Sequence, residues 1–342
     1  MKYEVITKED FPSFVNGLLS EIEVVGVKMK EGKFHYDKIK SYDELCLDYD
    51  VTLIPPKKYL LPPKETLLKF SLGGAIQVEP SIDATPRVIL GVHPYDIKAI
   101  ELMDAVFSDS NPDANYMERR RNTVIVGVDC RNPSPNAFCP SMGTDTTETG
   151  FDLLLTDIGE QYVVAIGSEK GEELLKKHAR TREATEADLA QRKAAQEEAL
   201  AKYKLSIKAA VEEIPELLEK NYDHPLWEEL AAKCLSCGSC TMVCPTCVCF
   251  DVQDDLELNL TAGERFRQWD SCMLQGFAKV ATGENFREDC TSRLRHRYFR
   301  KGNYMLKRYG KLGCVGCGRC IGACLAEIAN PVEAYNRLKE GS

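Results

Sequence analysis

Apolar residues change their spacing as the chain proceeds, and each change marks an element. Between Thr7 and Ser20, the residues Phe11, Phe14, Val15, Leu18 and Leu19 fall at helical spacing and predict a first helix. EVVGVKMKEGKFHYDKI (23–39) then predicts two short strands turning at Glu31-Gly32. The Pro-rich VTLIPPKKYLLPPKETLLKF (51–70) reads as an extended excursion over the surface, with its Pro-Pro pairs as rigid connectors. At Arg87 a continuous apolar run, RVILGV, meets His93-Pro94-Tyr95-Asp96 and the helical IKAIELMDAVF, which is strand, turn and helix. Thr123–Val128, Phe151–Leu155 and Tyr162–Ile166 supply further strands, so an α/β domain is expected over residues 1–168.

Residues 169–222 are dense in Ala, Glu, Lys and Leu, have no glycine after Gly171 and predict a linker of two or three helices. A helix HPLWEELAAK, with Asp223 as its expected cap, opens a third part over residues 223–342. Within it lie CFDVQDD and the helix-like GERFRQWDSCMLQGFAKV. The expected class is therefore α+β: an amino-terminal α/β domain, a helical linker and a carboxy-terminal α-helical domain.

Composition narrows the function. With 342 residues, 44% hydrophobic and 28% charged, the chain is ordinary globular material for two or three domains. A formal net charge of −9 argues against nucleic acid as a partner. No apolar run approaches the roughly eighteen residues of a membrane span. Glu4, Glu9 and Asp10 stand where a signal peptide would be basic and then apolar, so a soluble protein of the reducing cytoplasm is expected. There is no G-x-G-x-x-G after a strand, no P-loop, and neither H-E-x-x-H nor G-x-S-x-G. A nucleotide or hydrolytic site on this chain is thus disfavoured, and no catalytic residue is assigned.

The chemistry is carried by cysteine, of which there are 15. Cys234-x2-Cys237-x2-Cys240-x3-Cys244-Pro245 is answered by Cys314-x2-Cys317-x2-Cys320-x3-Cys324. This spacing wraps three corners of a [4Fe–4S] cube, and the fourth Cys characteristically ligates the other cube in two-cluster ferredoxins. Cys234, Cys237, Cys240 and Cys324 are therefore expected on one cluster, and Cys314, Cys317, Cys320 and Cys244 on a second. The third part becomes a ferredoxin-like dicluster domain. Zinc would ask for two separated pairs, and disulfides for a short secreted chain. Leu325, standing where the bacterial run has Pro, leaves the ligands untouched. Cys247, Cys249, Cys272 and Cys290 read as packing, and Cys46 has no motif around it. The basic stretch RLRHRYFRKGNYMLKRYGK (293–311) is expected beside the clusters, where cations offset the charge of a reduced cube, or facing an acidic partner. Electron transfer is the leading function, and a scaffold whose clusters only hold the fold is the alternative.

Several stretches carry a family resemblance. His224-Pro225-Leu226-Trp227, CLSCGSCTMVCPTCVCFDV, GERFRQWDSCM followed by GENFRE, and CVGCGRC resemble the iron–sulfur subunit of anaerobic sulfite reductase and the beta subunit of cytoplasmic sulfhydrogenases. GVHPYDIKAI, the RRR-x5-Gly-Val-Asp-Cys130 stretch and Phe138-Cys139-Pro-Ser-Met-Gly143 extend the likeness over most of the chain. The resemblance implies an electron-relay subunit in a hetero-oligomer. Its neighbours would be an FAD flavoprotein that takes electrons from NAD(P)H, and a terminal redox subunit such as a hydrogenase or a sulfite reductase. Such relatives usually carry Cys where Tyr95 and Ala137 stand here, leaving Cys130 and Cys139, with His93 nearby, as inert thiols rather than a third centre. Anaerobic iron and sulfide analysis of the loaded chain should accordingly give about eight of each, one cube per ligand run; near twelve would mean a third cluster.

Overall fold

The computed structural model describes residues 1–341. Its larger sheet forms around two strands that are buried at every position, Arg87–Val92 and Thr123–Val128, and so need cover on both faces. Numbered along the chain, the strands are β1 (Lys2–Thr7), β2 (Glu23–Lys30), β3 (Lys33–Lys38), β4 (Lys64–Ser71), β5 (Gln77–Pro80), β6 (Arg87–Val92), β7 (Thr123–Val128), β8 (Leu153–Asp157), β9 (Gln161–Ile166), β10 (Arg182–Glu183), β11 (Phe250–Leu256) and β12 (Ala262–Trp269). Eight of them pair in the order β10-β1-β9-β8-β7-β6-β2-β3. The inner run β8-β7-β6-β2 is parallel, and antiparallel strands close both ends.

Helix α1 (Phe11–Leu19) packs on β2, and α2 (Pro94–Ser108) on β7. Gly127 permits that second approach: a Cβ there would stand 2.8 Å from Ile97 Cδ1 and from Leu154 Cδ1. Helix α3 (Ala114–Arg121) lies against α2, and α4 (Glu169–His178) and α5 (Glu186–Leu200) cover β9. Thr185 and Asp188 open α5 with a reciprocal capping box.

The smaller sheet departs from the sequence expectation. Its order is β11-β12-β4-β5, all antiparallel. GERFRQW is strand, not helix, and the carboxy-terminal part is not wholly helical: β11 and β12 form a hairpin that pairs with β4. The Pro-rich segment before β4 is not a surface excursion either. It makes one helical turn at Pro56–Tyr59, and Pro56, Lys57, Leu60 and Leu61 are buried. What fixes the hairpin is a buried ionic knot. Glu65 on β4 accepts from Arg119 on α3 and from Arg267 on β12, and Arg267 also reaches Asp113.

A second core lies among the remaining helices: α6 (Ile214–Lys220), α7 (Leu226–Lys233), α8 (Ser239–Met242), α9 (Cys290–Phe299), α10 (Met305–Tyr309), α11 (Arg319–Gly322) and α12 (Pro331–Glu340). Trp227, Leu218, Tyr298, Phe299, Tyr335 and Leu338 fill it. A π-turn at Arg300–Tyr304 joins α9 to α10. Asp223 does not cap α7. The His224 ring accepts from Leu226 N at 3.1 Å, and Asp223 pairs with Arg295 instead.

Replacing Glu65 by Ala removes the carboxylate shared by two buried guanidinium groups, leaving Arg267 only Asp113 and Arg119 chiefly the Leu60 carbonyl, and should cost about 3 kcal/mol. Urea unfolding measures this, and a change under about 1 kcal/mol would show that the knot holds nothing.

Candidate metal centre

The two cysteine loops are one piece of geometry built twice. In the first, Ser236 (φ 50°) and Gly238 (φ 78°) take left-handed backbone; in the second, Gly316 (φ 66°) and Gly318 (φ 74°) do so at the same places. Each second left-handed residue starts a single helical turn, α8 or α11, that carries the third cysteine of its run, Cys240 or Cys320. The two turns pack on each other. Turned this way, backbone amides face the sulfurs: Ser236 N donates to Cys234 Sγ at 3.4 Å.

The amino-terminal half holds the second loop from outside. Phe138 N donates to Gly316 O at 2.7 Å, and Thr144 Oγ1 to Val315 O at 2.7 Å. Arg319 is buried in a two-pronged pair with Asp96, 2.7 Å on each arm, and also donates to Thr52. Contact is so close that a Cβ on Gly318 would lie 2.4 Å from the Asn136 carbonyl, and one on Gly316 2.7 Å from the backbone of Cys139. Ser271 performs a lesser version for the first loop, where Thr241 Oγ1 donates to it at 2.6 Å.

Two cavities result, and the eight cysteines divide between them in the crossed grouping. One is lined by Cys314, Cys317, Cys320 and Cys244, with Lys301, Tyr298 and Tyr335. The other is lined by Cys234, Cys237, Cys240 and Cys324, with Leu235, Met273 and Leu325. Each cavity thus presents the four-thiolate donor set of a [4Fe–4S] cube. They differ in depth. Cys317 is buried, whereas Cys237 is exposed. We call them the inner and the outer cavity.

As bare thiols these groups differ: a hydrogen bond from Cys247 holds Cys244 well below the ordinary thiol value, and one from Ser239 lowers Cys237, whereas burial raises others. Burial pushes Cys314 and Cys317 up to about 12 and Cys234 up to about 11. Thiolates at such depth need positive charge close by, and the fold provides part of it. Arg297 is buried with its Nε unpaired. Burial works against its charge, but the sulfurs of Cys240, Cys320 and Cys244 outweigh that and keep it protonated. Lys301 is held charged in the same way by Cys244 and Cys247, and its Nζ donates to Thr246 Oγ1 at 2.7 Å. A donor set of four thiols and an unpaired buried guanidinium fit an anionic metal–sulfur group.

The remaining cysteines do not line either cavity. Cys247 leans on Cys244, and Cys249 on Cys272. Cys290 Sγ sits 3.3 Å from Ser236 Oγ. Cys46 packs at the edge of the α/β core. Tyr95, Cys130, Ala137 and Cys139 meet in one packed knot with Cys317 and Tyr203. Burial pushes Cys130 up to about 12, and it raises Cys139 as well. His93 is a packing residue, stacked on Tyr49 with its ring nitrogens on Val128 O and Tyr49 O. Sequence reasoning missed Lys57, which is buried beneath the Cys247 carbonyl at 2.8 Å and 4.4 Å from the Trp269 ring centre. Nothing in a Pro-rich stretch marks one lysine as internal.

Known proteins resemble the chain both in this region and over its full length. The model of the 4Fe-4S dicluster domain family matches residues 233–328. Sulfhydrogenase 2 subunit beta of Pyrococcus furiosus is 35% identical over 342 residues, covering 100% of this chain and 99% of that protein.

Gly318→Ala meets both a left-handed φ and the Asn136 carbonyl, so it should destabilise the chain by more than about 1 kcal/mol. Gly322→Ala, whose Cβ would meet nothing nearer than Asn136 Nδ2 at 3.4 Å, is the control and should change little. Equal thermal midpoints for the two variants would refute this account of the loop.

Proposed function

Because the chain belongs to the family of iron–sulfur beta subunits of sulfhydrogenases, we propose that it relays single electrons through two [4Fe–4S] clusters. The inner cluster would be held by Cys314, Cys317, Cys320 and Cys244, the outer by Cys234, Cys237, Cys240 and Cys324. The observation that carries this reading is the crossed lining of the two cavities: three thiols from one loop and the fourth from the other. A [4Fe–4S] cube, when bound, takes up and releases one electron per cycle. The chain's own work is to exclude water, to aim backbone amides at sulfur and to set fixed positive charge beside it. No substrate bond is made or broken by these residues.

In this reading the chain works inside a cytoplasmic hetero-oligomer. An FAD subunit linked to NAD(P)H would stand on one side and a terminal redox subunit on the other. No helix among the described residues is long and apolar enough to cross a membrane. The outer cavity is the port. Cys237 is exposed, and the apolar side chains beside it, Leu235 and Leu325, stand 64% and 84% exposed. A redox partner docking there would cover them. Residues 1–168 serve as the clamp that positions the inner loop, residues 169–222, whose α4, β10 and α5 pack on the same sheet, lead on from it, and residues 223–342 bear the clusters.

Spectra of two variants test the ligand sets. Cys244→Ser should mainly damage the inner cluster, and Cys324→Ser the outer one; the opposite pairing would refute the assignment. The isolated chain should not turn over NAD(P)H, yet its clusters should reduce and reoxidise with the partner subunits. Clusters that stay inert in the assembled complex would make the chain a scaffold.

A further inference from the structure

Arg297 is the one lining residue common to both cavities. It is 5% exposed, its Nε has no hydrogen-bond partner among the described residues, and its guanidinium reaches the Cys320 thiol. The groups that bear on its charge are Cys240 of the outer set, Cys320 and Cys244 of the inner set, and the Tyr298 ring. No carboxylate is among them. Lys301 is equally internal but lines the inner cavity alone, and the sulfurs that bear on it are Cys244 and Cys247. The basic stretch therefore holds one cation placed between two thiol sets and another placed at one of them.

A fixed positive charge favours whichever redox state is more negative, and its effect falls with distance. Resting on the proposal that the cavities hold two [4Fe–4S] clusters, we infer that Arg297 is a positioning residue that raises the potentials of both clusters together. Lys301 raises the inner one and so sets the step between them. The two cations then have separable tasks. Arg297 fixes the level at which the pair operates, and Lys301 fixes how readily an electron moves from one member to the other. A level change moves both members by like amounts and leaves the relay passable. A step change turns one member into a trap.

The test is a redox titration of the whole, anaerobically loaded chain, followed by electron paramagnetic resonance with iron analysis alongside. In Arg297→Gln both clusters should be retained. At a fixed potential the oxidised-to-reduced ratio of each should rise at least tenfold, a shift of about 59 mV downward for a one-electron couple. Arg297→Lys keeps the charge and should stay near the wild type. Lys301→Met should move one signal only, the one that Cys244→Ser removes. The inference fails if Arg297→Gln shifts a single cluster or neither with iron content intact, or if Lys301→Met shifts both equally. Should Arg297→Gln not load, the comparison passes to Arg297→Met and Arg297→Lys. Loss of clusters from the lysine variant as well would make Arg297 a packing residue and overturn the inference, whereas loading of the lysine variant alone would uphold a role for the charge. A wild-type chain without two [4Fe–4S] signals would instead refute the proposed function, which is a different result.

Discussion

The structure depends on burying a set of thiols beside fixed positive charge. A thiolate in a low-dielectric interior is costly unless cations stand within a few ångströms, and here the cations come from protein as well as from any metal. Arg297 and Lys301 are both buried, and sulfurs are the groups that most favour their charged forms. Two buried cations set against thiols are an arrangement that a bound anion would stabilise. The π-turn at Arg300–Tyr304 belongs to the same arrangement, since it carries Lys301 between two regular helices.

A second constraint is rigidity around the inner loop. The α/β half is a clamp as much as a neighbour. Its Asn136–Cys139 backbone lies so near Gly316 and Gly318 that only hydrogen fits between, and Asp96 and Thr52 fix Arg319 on the far side. One thiol set has Cys317 buried, while the other reaches the surface at Cys237. The two halves of a repeated motif are thus placed in unlike surroundings, and the difference comes from what packs against each loop.

Much of this was legible in the residues. RVILGV and TVIVGV announced strands, though not that they lie parallel, because each is apolar or glycine after its first residue, and the cysteine spacing announced two like loops. What stayed hidden depends on distant partners. GERFRQW reads equally well as helix until β4 lies beside it, and that strand is placed by Glu65, Arg119 and Arg267 from three separate stretches. Asp223 looked like a helix cap because local rules favour it, but the His224 ring took the part. Arg297 stood among similar neighbours in a basic run, and a charge run does not tell which member faces inward. Tyr95 and Ala137 were noticed as replacements, and the structure adds that they fill one knot with Cys130 and Cys139.

The smaller sheet has a consequence for biosynthesis. β4 and β5 leave the ribosome early, whereas β12, the strand that covers the inner edge of β4, ends at Trp269. Until then β4 presents an open edge of unpaired amides and carbonyls, the kind of edge that recruits other chains. The first cysteine loop emerges within that interval and the second only after it. Completion of the sheet therefore falls between the two loops in time. A nascent chain that stalls before residue 262 exposes a sticky strand together with one set of unshielded thiols, and a cell making this protein gains from keeping it escorted through that window.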